Sequence, residues 1–93
     1  MDLMRAMRTF VRVIDEQGFA AAARGLSQAP AVVTKQVADL EAHLGARLIN
    51  RTTRRMSLTE VGEAYLDRAR QILADVDEAE AQASHSVKAR SGH

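Results

Sequence analysis

The chain has no cysteine, no tryptophan, a single proline and only three aromatic residues among its 93. Without cysteine there is no disulfide framework, no thiolate metal site and no thiol nucleophile. No apolar run approaches the roughly 18–20 residues that span a bilayer, and the N-terminus lacks the basic-then-apolar order of a signal peptide. A bacterial cytoplasm is therefore the expected compartment, with no membrane partner. His43, His85 and His93 are scattered and lack metal-ligand spacing, and no glycine-rich phosphate loop follows a strand. Ser27 and Thr59 have neither a base nor an orienting acid suggested nearby. An enzyme is thus not expected, nor a cofactor or a metal. Phe10, Phe19 and Tyr65 suit core packing better than stacking on single-stranded bases. An apolar content of 46% argues against disorder, and the length suits one small domain plus at most an extra element.

What is present is a helical pattern with clear punctuation. Leu3, Met7, Phe10, Val11 and Ile14 recur at helical spacing, while Arg5, Arg8, Arg12 and Glu16 lie off that stripe. Asp2 suits the N-cap and Gln17-Gly18 the end. A short helix is predicted from Phe19 to about Leu26, where Ala20 to Ala23 let a neighbour approach closely, and Ser27-Gln28-Ala29 forms a tight turn. Pro30 opens a third helix, at a position where its missing N–H costs nothing. Val33, Val37, Leu40 and Leu44 give that helix one buried face, and Gly45 ends it as a left-handed cap. Residues 47–50 and 55–58 read as two short strands around the turn 51–54. Thr59 caps a last helix running from Glu60 to about Val87. In it Leu66, Ala69, Leu73, Val76, Ala83 and Val87 keep the alternation of a heptad seam, thickened by Tyr65, Ile72 and Ala79 and broken once at Glu80. At about 42 Å this helix exceeds what a three-helix core covers.

The expected fold is therefore mainly α: a winged helix-turn-helix, with a three-helix core and a short β-hairpin wing, over residues 1–58. A linker and dimerisation helix over 59–88 and a frayed tail over 89–93 complete it. Measured in 100° steps, the third helix turns Ala31, Thr34, Lys35 and Ala38 outward, opposite its apolar face. Two alanines keep that face slim, Thr34 can donate or accept at a base edge, and Lys35 can reach a guanine or a phosphate. Its first acid is Asp39, in the third turn. From His43 to Met56 there are four arginines, Arg47, Arg51, Arg54 and Arg55, and no acid. A basic run is often only a solvated face, but this one follows a groove-reading helix directly. Arginine also suits phosphate forks and narrow minor grooves. The net charge of +1 hides this asymmetry: residues 1–71 carry eleven basic and eight acidic side chains, residues 72–93 two basic and four acidic. The second function class compatible with these features is a protein-interaction module whose acidic last helix docks partners. Retention on duplex DNA discriminates the two.

Several ordered segments carry a family resemblance. They are Gly18-Phe19-Ala20-Ala21-Ala22-Ala23-Arg24-Gly25-Leu26, then Ala29-Pro30-Ala31-Val32-Val33-Thr34-Lys35-Gln36-Val37, Leu40-Glu41, the run from Leu44-Gly45 to Arg54, and Leu58-Thr59-Glu60-Val61-Gly62-Glu63. From about Leu3 to Leu73 the chain resembles the DNA-binding domain of LysR-type transcriptional regulators. The resemblance implies that Pro30, Ala31, Thr34 and Lys35 on the recognition helix face bases or phosphates, with Arg51, Thr52 and Arg54 on the wing. It also implies an antiparallel homodimer through the long helix, for which Tyr65, Leu66, Ala69, Ile72, Leu73, Val76 and Ala83 are the candidate contacts. Sequence-specific binding of double-stranded DNA at an interrupted palindrome is the function implied. The chain departs from the family pattern at Ala29 and Ala20, where serine is usual, at Gln28, usually apolar, and at Thr34, often serine. Ninety-three residues fit a DNA-reading head and its dimer helix but not a whole regulator of that family. A small-molecule effector is expected only where a C-terminal domain accompanies this one.

Overall fold

The computed structural model describes residues 1–51 and 56–91, with 87–91 described by their backbone alone. Along these residues the order is α1 (Leu3–Asp15), α2 (Phe19–Leu26), α3 (Pro30–Leu44), β1 (Ile49–Asn50), β2 (Ser57–Leu58) and α4 (Glu60–Ser91). The Asp2 carboxylate accepts the Arg5 N–H at 3.1 Å and so caps α1. The chain leaves α1 through Gln17, whose φ of 58° is left-handed. Ser27 makes the corresponding left-handed turn after α2, and the Gln28 N–H then donates back to the Ala23 carbonyl at 2.9 Å. Gly45, with φ 69°, closes α3 as its spacing predicted.

One core joins every element. Phe10 and Val13 of α1, Ala22 and Ala23 of α2, Val33, Val37 and Leu40 of α3, Leu48 and Ile49 at the wing root, and Leu66 of α4 form a single buried cluster. Burying a side chain of the size of Phe10 or Leu40 contributes about 1.5–3 kcal/mol. Ala22 and Ala23 let α2 lie close on its neighbours. The buried Thr9 hydroxyl donates to Gln36 Oε1 at 2.5 Å, which ties α1 to α3. Leu3 and Leu44 both lie outside this core, 41% and 38% exposed, contrary to the sequence pattern. Each is the terminal residue of its helix, beyond the reach of the packed neighbours. Ala6 and Val13 are buried on α1 instead, because that helix is covered by both α3 and α4.

The wing strands are two residues long rather than four, paired antiparallel as Ile49 with Leu58 and Asn50 with Ser57. Leu48, just before the strand, gives its N–H to the Glu41 carboxylate at 2.8 Å. Thr59 then fastens α4 to the wing root. Its backbone N–H donates to the Leu48 carbonyl at 3.0 Å, and its hydroxyl donates to the Arg47 carbonyl at 2.6 Å and accepts the Gly62 N–H at 2.9 Å.

α4 continues to Ser91, past the expected end near Val87, with helix-forming Ala89 and Arg90 and no glycine between Val87 and Gly92. At 32 residues it is about 48 Å long. Its first half belongs to the domain core: Ala69 and Leu73 are buried against Met7, and Leu66 lies in the main cluster. Arg70 pairs with Asp15 at 2.6 Å and Arg8 with Asp77 at 2.8 Å, bracketing the contact between α1 and α4. Both pairs are about half exposed, so each contributes at most about 1 kcal/mol.

Candidate nucleic-acid interface

The outward face of α3 is as the helical spacing predicts. Pro30, Ala31, Thr34, Lys35 and Ala38 are all exposed, and the first turn holds no acid. Pro30 is the first helical residue and Ala29 the N-cap, extended and without a side-chain cap bond. The Thr34 hydroxyl donates to the Pro30 carbonyl at 3.0 Å, which leaves its lone pairs outward. Lys35 Nζ pairs with Asp39 at 3.0 Å, one helical turn on. This exposed pair holds the ammonium against its own helix at a cost of only tenths of a kcal/mol to break.

Sequence reasoning missed Glu41. Only 7% of its side chain is exposed. Oε2 accepts the N–H groups of Leu48 at 2.8 Å and Ile49 at 3.2 Å, and Oε1 accepts from Arg51 Nη2 at 2.9 Å. Arg47 Nη1 stands 3.8 Å from the same oxygen. Burial pushes this carboxyl up, but the Leu48 N–H, the Arg51 guanidinium and the Ile49 N–H outweigh it, and the group lies below the ordinary carboxylate range. Glu41 thus joins the last turns of α3 to the root of the wing. A signal for it exists in the sequence: it is the last acid before a stretch, 42–59, with none.

Arg51 is therefore inside the fold as well as on the wing. Its guanidinium bonds Glu41 and lies over the Phe19 ring, 5.4 Å from the centroid. Thr52 and Arg54, the other wing candidates, and Arg55 lie outside the described residues.

The candidate dimer residues divide into two sets. Leu66, Ala69 and Leu73 are buried by their own chain, and Tyr65 is half-buried with its ring 5.9 Å from that of Phe10. Burial pushes the Tyr65 phenol up from its ordinary range. The stripe read as one seam is thus partly spent on α1 and the core. Ile72, at 39%, is exposed, Val76 is half-buried, and Ala83 is exposed. Among the described residues no helix is long and apolar enough to cross a membrane, and no three His, Asp or Glu stand together as a metal site.

Residues 4–63 match the model of the bacterial regulatory helix-turn-helix proteins, lysR family. Over 81 residues the chain is 51% identical to an HTH-type transcriptional repressor of Pseudomonas aeruginosa, covering 87% of this chain and 26% of that protein. It is 43% identical over 76 residues to the transcriptional regulator DmlR of Escherichia coli, covering 82% of this chain and 25% of DmlR. The chain thus spans about a quarter of the length of these curated relatives. Its fold superposes on the BenM DNA-binding domain solved with catB site 1 DNA. There the TM-score is 0.88 and the identity 31%, with 94% of this chain and 97% of that one covered. With this family model matched over most of its length and this superposition, the chain belongs to the lysR family of bacterial regulatory helix-turn-helix proteins and forms their winged helix-turn-helix DNA-binding domain.

Proposed function

We propose that the chain reads a specific duplex sequence as a homodimer, in the control of transcription on bacterial chromosomal DNA. α3 enters the major groove and the wing lies on the backbone or minor groove. One observation carries this reading: the N-terminal half of α3 presents Ala31, Thr34, Lys35 and Ala38 outward with no carboxylate. A slim face with one cation and one hydroxyl fits between the phosphates and offers donors to base edges. Pro30 opens the first turn of α3, whose Ala31 N–H suits a phosphate. Thr52 and Arg54 are the proposed wing contacts. That the BenM domain, on which this fold superposes, is solved in complex with DNA supports the DNA-binding reading.

The dimer contact proposed is the face of α4 left open by α1, with Ile72, Val76 and Ala83. α4 extends about 27 Å past Leu73, the last residue of its buried face. A helix that leaves its own domain by this distance cannot be covered by that domain. Two copies joined there present their recognition helices to half-sites about 34 Å apart or a multiple of it.

Selection of bound sequences from a random duplex library tests the reading. The expected result is an interrupted palindrome. With about three or four phosphates neutralised per protomer, log affinity falls against log salt with a slope near −5 to −7 for the dimer. No enriched sequence and a slope near zero overturn it.

A further inference from the structure

Groove reading by itself does not call for a carboxylate, yet the recognition helix carries one that is nearly buried. Glu41 faces the wing root and is met there by two backbone N–H groups and the Arg51 guanidinium. Arg51 is held from two sides, by Glu41 Oε1 at 2.9 Å and by the Phe19 ring beneath it. Two-thirds of its side chain is out of solvent. Arg47 differs: it is 3.8 Å from the same oxygen, and its side chain is 69% exposed, so solvent and a phosphate compete for it readily.

We infer that Glu41 is a positioning residue that withholds Arg51 from the DNA phosphates, so the wing counts one cation fewer in sequence-independent binding than its arginines suggest. The inference rests on the DNA-binding reading above and reassigns Arg51, which the family resemblance placed on DNA. Turning Arg51 to a phosphate breaks a charge-assisted bond at a nearly buried carboxylate and leaves Oε1 only the more distant, solvent-exposed Arg47, which is unfavourable. A single phosphate met on the solvent side does not restore it. The same carboxylate holds the Leu48 and Ile49 N–H groups, so it places the wing root and tempers its charge together. Cations that bind any duplex raise affinity for every competing site, whereas base contacts raise it for one. Neutralising Arg51 internally therefore lowers the sequence-independent part of the affinity and leaves the base contacts that discriminate between sites untouched.

The slope of log affinity against log salt counts cations placed on phosphates, and a loosened wing that only weakens binding does not imitate a rise in that count. The parent chain, Arg51→Met, Glu41→Gln and the double variant are compared on a selected site and on random duplex. Arg51→Met is expected to keep the parent slope. A slope shallower by about 0.9 per protomer means that Arg51 sits on a phosphate and overturns the inference. Glu41→Gln keeps an oxygen for the backbone N–H groups but releases Arg51. It is expected to steepen the slope by about 0.9 per protomer and tighten random-duplex binding, with the double variant returning to the parent slope. An unchanged slope in a folded Glu41→Gln overturns the inference. Should circular dichroism show that variant unfolded, Arg51→Met alone decides. A parent that shows no salt-dependent binding overturns the DNA reading and this inference with it; a parent that binds while the variants fail their expectations overturns this inference alone.

Discussion

Gly62, in the first turn of α4, lies so close to the carbonyl of Leu48 that a Cβ added to it overlaps that oxygen. The contact is backbone against backbone, so no rotamer change relieves it. Gly62→Ala is expected to push α4 off the wing root and to destabilise the domain by about 1–3 kcal/mol. A lower urea midpoint at an unchanged m-value is the expected measurement. A midpoint equal to the parent's shows the junction to be pliable.

Ala29 supplies no side-chain cap to α3, and its backbone is already extended, as an N-cap requires. Ala29→Ser is expected to stabilise the domain by about 0.5–2 kcal/mol through a hydroxyl on a free N–H of the first turn. Chemical denaturation reads this directly, and no gain indicates that those N–H groups are satisfied by water equally well.

Lys35, proposed as a DNA contact, is paired with Asp39 at 3.0 Å. Lys35→Ala is expected to cost about 1–3 kcal/mol at the selected site and to relax one base preference, whereas Arg54→Ala weakens all sequences evenly. Asp39→Asn frees the ammonium and removes a negative charge from the edge of the groove face, so affinity for random duplex is expected to rise. Competition binding with single-base variants of the site measures all three. If the first two variants both bind like the parent, the contact assignment is wrong.

Acid should unlock the wing. The folded Glu41 carboxyl lies below its unfolded value of about 4.3. Its contribution to stability is therefore complete above the unfolded value and is lost as pH falls through the lower folded one. Urea midpoints measured from about pH 6 down to about pH 3 are expected to fall less for Glu41→Gln than for the parent. Parallel curves show that other carboxylates govern the acid limb.

Substitutions at the covered and uncovered positions of α4 are expected to separate folding from the proposed dimerisation. Val76→Asp places a charge on the open face and is expected to give folded monomers by sedimentation. Leu73→Asp buries an unpaired carboxylate against Met7 and is expected to lose the helical signal itself. A folded, dimeric Val76→Asp locates the interface elsewhere.

Local chemistry was legible in the sequence. Asp2, Pro30, Gly45 and Thr59 mark the helix ends because capping and φ preferences act within one turn. The exposed face of α3 follows from its period alone, as do the core positions Val33, Val37 and Leu40. Where an apolar residue stands at a helix end, as with Leu3 and Leu44, the period says nothing about whether a neighbour reaches it.

The near absence of special residues, with no cysteine and one proline, left helix period and charge to carry the reading. They determined a helix-turn-helix with a basic turn after it, because both act between near neighbours in the chain. The tertiary structure decided how that charge is used. Glu41 meets Arg51 ten residues away, and the core and α1 claim Leu66, Ala69 and Leu73 from a stripe read as one dimer seam. Neither choice is written in spacing: an acid-free segment is acid-free only along the chain, and a helix face is open only until packing covers it.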